Sequence, residues 1–302
     1  MPLLTSFLSN PPPPSFTPSS LLDLSSKVYL ITAITPTTLH LARILYTLHA
    51  TVYLAFTSEN QVPNPIASIT TQCPTSKGTL KSLILNPTHP SSIKPAVENL
   101  LRDEWRLDIL FLSHPDTNTD FLIAKLLVPR MTTTASHFCH PNPSIRVLWI
   151  SSPTSASISI VPPMVKCFSS AEIRYFLAHE FANRKHAEEP GADEHAHTLP
   201  GSNPSGVQHV LVDVTLPGSS VLRSMRRLVS SAKEEEYAAC TLLYAGLAPE
   251  VRSGDWVVPW GRRGEVAGDV REGTTAEEGD QSVSARVLEW YEGEVAQYAQ
   301  HR

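Results

Sequence analysis

Glycine is what this chain is short of: 13 in 302 residues against 26 prolines, and none before Gly78. Backbone turns that need φ > 0, or a close approach free of Cβ, are therefore scarce in its first quarter. Cysteine is scarce too. Cys73, Cys139, Cys167 and Cys240 are widely spaced without a Cys-x-x-Cys pair, which excludes a disulfide scaffold and reads as free thiols of a cytoplasmic protein. Long apolar runs are missing, since none approaches the roughly 20 residues of a membrane span. Met1 to Asn10 lacks a basic region and runs into Pro11–Pro14, so no signal peptide is expected. Positive charge is not in excess either. A net charge of -5 and a pI near 6.2 give no electrostatic reason for a nucleic-acid partner.

Apolar content is sufficient, at 41% hydrophobic and 18% charged, for a sizeable core. A Pro/Ser-rich arm, 1–24, leads into a single domain over 25–302. Short apolar runs rich in β-branched and aromatic residues predict strands at Val28–Ile31, Thr51–Ala55, Leu83–Leu85, Leu107–Leu112, Arg146–Ile150 and Val210–Val214. Helical stripes lie between them: Leu39–Leu48, Ile93–Trp105, a short helix over Phe121–Met131, and Ala171–Lys185. After Pro217-Gly218 the chain reads as helical, with a mobile acidic, Gly-rich loop over about 261–284. This alternation predicts an α/β fold: a doubly wound, mostly parallel sheet in three α/β/α layers.

The run Asp23 to Thr32 resembles the opening strand of fungal short-chain dehydrogenases related to retinol dehydrogenase and the WW-domain oxidoreductase. Leu41–Tyr46 with Ala50–Ala55, Ser92–Val97, and Arg106–Leu110 resemble successive elements of the same family. The most specific stretch is late, Leu243–Val251 followed by Trp256–Arg262. The resemblance implies a Rossmann-type body and an ancestry in NAD(P)-dependent oxidoreductases, whereas function rests on the site residues.

Family members carry a Thr-Gly-x-x-x-Gly-x-Gly turn whose glycines admit the pyrophosphate to a helix N-terminus. Here the same place reads Thr32-Ala33-Ile34-Thr35-Pro36-Thr37-Thr38-Leu39. Phe56-Thr57 stands where a Gly-Arg pair selects the 2′-phosphate, Asn86 where an Asp meets adenine, and Leu112–Pro115 where Asn-Asn-Ala-Gly follows the fourth strand. Thr32 and Asn86 are the residual cofactor-binding candidates. If each altered contact were worth about 1 kcal/mol, their loss would weaken cofactor binding several thousandfold.

The family's chemistry uses Ser, Tyr and Lys, with Tyr exchanging the proton and Lys lowering its pKa. Ser152 matches the serine. The helix motif Phe176–Ala182 sets the register and places Cys167 at the tyrosine position and Ala171 at the lysine position. Tyr175 with His179 at i, i+4 is the competing choice and sacrifices the helix match. Cys167, next to Lys166, reads as a thiol acid/base or as a small residue filling a decayed site. Between Pro115 and Phe121 only a turn of linker remains, with Asp116 nearest the place of a relay Asn; part of a core helix is expected to be lost, or an exon boundary misplaced.

Other clusters carry less. His137–His140 with His186, His195 and His197 lacks metal-ligand spacing, and no metal is expected. Lys233–Glu236 reads as a solvated face opening a helix, and Trp256, Trp260, Trp290 and Tyr291 as packing or as a pocket lining. The expectation is a family descendant with eroded cofactor and catalytic motifs, a pseudoenzyme without ordinary dehydrogenase activity. The alternatives are a redox-neutral isomerase, cyclase or dehydratase of fungal specialised metabolism using the old pocket, and an active NADP-dependent reductase with an atypical phosphate turn. No cofactor is expected unless the ancestral site survives for NADP(H), and a small hydrophobic metabolite is the expected partner.

Overall fold

The computed structural model describes residues 12–138, 145–151, 168–183, 206–214, 232–275 and 281–299. Its centre is one sheet of β1 (Val28–Ile31), β2 (Thr51–Phe56), β3 (Thr79–Ile84), β4 (Ile109–Leu112), β5 (Arg146–Ser151), β6 (Gln208–Asp213), β7 (Trp256–Val258) and β8 (Arg262–Gly264). The spatial order is β3-β2-β1-β4-β5-β6-β7-β8, parallel throughout except for β8, which runs antiparallel to β7. Around it lie α1 (Pro36–Thr47), α2 (Pro63–Gln72), α3 (Ile93–Asp103), α4 (Thr117–Phe138), α5 (Ser170–Asn183), α6 (Ala232–Leu247), α7 (Gly268–Glu272) and α8 (Val283–Ala299).

The inner strands are apolar on both faces because both faces are covered. Val28 and Leu30 of β1 pack into one core with α3, α4, α5 and α8. Tyr29 and Ile31, one residue out of phase, pack into a second core with α1, α2 and α6. The fold is thus a doubly wound, three-layer Rossmann-type body. Ahead of β1 the described part of the arm lies on the second core, with Phe16 edge-on to Tyr244 at 5.8 Å.

Polar groups inside the body have named partners. The Arg146 guanidinium, 2% exposed, donates to the carbonyls of Ala245 (3.1 Å), Ala248 (2.9 Å) and Val251 (2.8 Å) beyond the sheet. It thereby ties the last turn of α6 and the loop that follows it to the start of β5. Gly78 sits where α1, β2 and β3 converge; a Cβ there would lie 2.7 Å from the carbonyl oxygens of both Ala50 and Tyr46.

Four expectations are corrected. The short helix at 121–131 is a 22-residue helix, α4, that begins at Thr117 and continues through Pro129. Tertiary burial of Phe121, Ile123, Leu127, Met131 and Ala135 sustains it through poor helix formers. The segment after Pro115 is thus a helix start rather than a stub of linker. The portion after Pro217 is not all helical: β7 and β8, at three residues each, are too short to show a period. The third strand starts at Thr79 instead of Leu83, because edge position lets it carry polar residues. Within 261–284, read as loop, Arg262–Gly264 is a strand and Gly268–Glu272 a helix with Val270 buried.

The sheet order reverses at β1, from which the chain winds out to β3 and then returns to β4. In open parallel sheets the crevice outside the carboxyl ends of the strands at such a switch point is where ligands bind.

Candidate functional site

Two short loops meet at the switch point, Thr32-Ala33 after β1 and Ser113-His114 after β4. The Thr32 hydroxyl accepts the Ser113 N–H at 2.9 Å and donates to Asp120 Oδ1 at 2.9 Å. The Ala33 N–H donates to Ser113 Oγ at 3.1 Å, and that hydroxyl returns to the Ala33 carbonyl at 3.3 Å. The loops are laced together.

Beneath them lies an ion pair without solvent. Asp120, in the first turn of α4, and Arg174, in α5, meet at 2.7 Å with both side chains 0% exposed. Arg174 also donates to the His114 carbonyl at 2.7 Å, while the His114 N–H donates to Asp120 Oδ1 at 3.4 Å. Burial pushes the Asp120 carboxyl above the usual carboxylate range; Arg174, His114 and the Thr32 hydroxyl pull the other way.

The two helix N-termini facing the crevice are self-capped. At α1, Thr35 Oγ1 accepts the Thr38 N–H (3.1 Å) and Thr38 Oγ1 accepts the Thr35 N–H (2.8 Å), with Pro36 at the first turn offering no N–H. At α4, the Asp116 carboxylate accepts the N–H groups of Asn118 (3.3 Å) and Thr119 (3.0 Å). From α8, the buried Tyr291 hydroxyl lies beside Thr117 and Arg174, and burial pushes it up to about 12. Among the described residues, neither that hydroxyl, nor Thr117 Oγ1, nor Arg174 Nε has a hydrogen-bond partner.

No family model matches the chain. A short-chain dehydrogenase/reductase of Phomopsis amygdali is 30% identical over 326 residues, covering 95% of this chain and 95% of that protein. The chain belongs to the short-chain dehydrogenase/reductase family. The short-chain dehydrogenase/reductase pkfC of Emericella nidulans is 29% identical, over 95% of this chain and 98% of its own. An uncharacterized protein from Mycobacterium Paratuberculosis shares the fold, with a TM-score of 0.57 and 14% identity over 93% of this chain and 97% of that one. The Pseudomonas aeruginosa RhlG/NADP active-site complex aligns with a TM-score of 0.51 and 16% identity, over 82% of this chain and 98% of that one.

Of the site residues expected for a short-chain dehydrogenase/reductase, Ser152 and Cys167 lie outside the described residues. Thr32 is at the switch point, with its hydroxyl spent on Ser113 and Asp120. Asn86 is apart from it, turned into its own loop, where Oδ1 accepts from the Thr88 N–H (3.1 Å) and hydroxyl (2.7 Å). Tyr175 is buried in α5, near Phe176, and burial raises its hydroxyl above the ordinary range. His179 turns to Asn183 and Glu180. Among the described residues no group of three or more His, Cys, Asp and Glu side chains could hold a metal ion. No helix among them is long and apolar enough to cross a membrane. Trp256, Trp260 and Tyr291 are buried, and Trp290 packs against the same core as Tyr291.

The ion pair was not anticipated from the sequence. Its signal was there: an Asp directly before Phe121-Leu122-Ile123 and an Arg inside Ile173–Ala178, each a charge set in an apolar run.

Proposed function

We propose that this family member has left nicotinamide-dependent hydride transfer and keeps the doubly wound body as a binding scaffold for a small hydrophobic metabolite. Its fungal relatives support a setting in fungal specialised metabolism. The observation that carries the reading is the α1 N-terminus. A dinucleotide pyrophosphate would need amides that here are missing at Pro36 or already given to Thr35 Oγ1 by Thr38. A hydrogen bond to a charged group is worth about 1.5–3 kcal/mol. Losing two raises a dissociation constant by roughly two to four powers of ten. β-Branched residues and a proline fill the stretch Ala33–Leu39, where the family's glycines would allow close approach. The residues present do not fit the dinucleotide.

Calorimetric titration of the folded chain with NADPH and NADH tests this. No binding at millimolar cofactor, in a protein that melts cooperatively, is the expected result. Micromolar binding of either would overturn the reading and restore NADP-dependent reduction.

A further inference from the structure

At the switch point the His114 ring presents one nitrogen that has no partner among the described residues. The backbone of His114 is clamped twice within its residue, the N–H to Asp120 and the carbonyl to Arg174 at 2.7 Å. Pro115 follows and restricts His114 to extended backbone. The ring is oriented as well, since Nδ1 accepts the Asp116 N–H at 3.1 Å. An Nδ1 that accepts leaves the ring proton on Nε2. His114 is half-buried, and among the described residues nothing pairs with that Nε2. A buried ion pair thus holds in place a residue whose free end is a hydrogen-bond donor.

The surroundings select what it meets. Beside it Asp116 has taken the Asn118 and Thr119 amides of α4 and adds a negative charge of its own, which opposes an anion. Arg174 is neutralised by Asp120. An uncharged oxygen acceptor suffers neither penalty.

We propose that His114 Nε2–H is the ligand-orienting donor of this chain, and that it takes the carbonyl oxygen of a neutral small molecule. Asp120 and Arg174 are its positioning residues. The proposal rests on the reading that no dinucleotide fills the crevice.

The chain labelled with 15N-histidine is titrated with acetophenone and, separately, with benzoate, a ring of similar shape bearing a charge. Acetophenone is expected to shift the His114 Nε2 signal saturably at millimolar concentration, and benzoate to leave it unmoved. His114→Leu is expected to weaken acetophenone binding about tenfold, as for one neutral hydrogen bond. His114→Gln, whose side-chain amide donates from nearly the same place, should stay within about threefold of the parent. Both variants keep the main-chain clamps, and a melting curve checks that they fold. Binding of benzoate in preference to acetophenone, binding of neither, or unchanged affinity in His114→Leu each overturns the proposal. NADPH added as competitor separates the two readings. Displacement of acetophenone by micromolar NADPH refutes the loss of the cofactor, whereas failure of acetophenone without NADPH binding refutes only the donor.

Discussion

Replacing Arg174 by Met strips the countercharge and its 2.7 Å hydrogen bond from a carboxylate whose side chain is 0% exposed. Breaking a buried pair by removing one partner costs about 3–5 kcal/mol, a large part of the ~5–15 kcal/mol that holds a domain together. The cost depends on pH, and its sign follows from Asp120, whose folded carboxyl sits above the ordinary 3.8. Between that ordinary value and the raised one the folded state binds more protons than the unfolded state, so stability falls as pH rises. Without Arg174 the carboxyl rises further and the window widens upward. Urea unfolding of Arg174→Met, followed by tryptophan fluorescence, is expected to show the full loss at pH 8 and a partial recovery at pH 5. Asp120→Asn in the same background should return at least half of the loss at pH 8, because an amide carries no charge to desolvate. A single-variant cost below about 1 kcal/mol that is flat with pH would refute the reasoning, since that is how a solvated surface pair behaves.

Three further outcomes follow from local geometry. Arg146→Met removes the guanidinium donors to the carbonyls of Ala245, Ala248 and Val251 and should cost about 2–4 kcal/mol in chemical denaturation. Gly78→Ala drives a Cβ to 2.7 Å from two backbone oxygens and should cost about 1–3 kcal/mol, with a lower melting temperature and unchanged secondary structure by circular dichroism. Thr35→Ala removes the acceptor of the Thr38 N–H and should destabilise by about 1 kcal/mol in the same assay.

Much of the fold was legible because its causes are local. Apolar β-branched runs marked β1, β2, β4, β5 and β6 to within a residue or two, and the helical stripe over Ile93–Trp105 marked α3. What failed had non-local causes. The full length of α4 depends on the sheet and on α5 and α8 covering its apolar face, which outweighs Pro129 and a threonine run. Strands β7 and β8 exist by pairing with β6 and with each other, and three residues cannot advertise that alone. At the site, missing glycines and Pro36 were plain in the sequence, because glycine's φ range and proline's absent N–H are properties of single residues. Where the spared donors went was not: that Thr35 and Thr38 cap each other, and that Asn86 serves its own loop, are facts of side-chain geometry. Asp120 and Arg174 are 54 residues apart, and two charges at that separation carry no mark of their union. The chain's composition and periodicity determined the layers, and the resemblance of its late stretches Leu243–Val251 and Trp256–Arg262 marked the ancestry. Only the tertiary structure decided the charge pairing, because an ion pair survives burial solely where packing brings both partners together and excludes water.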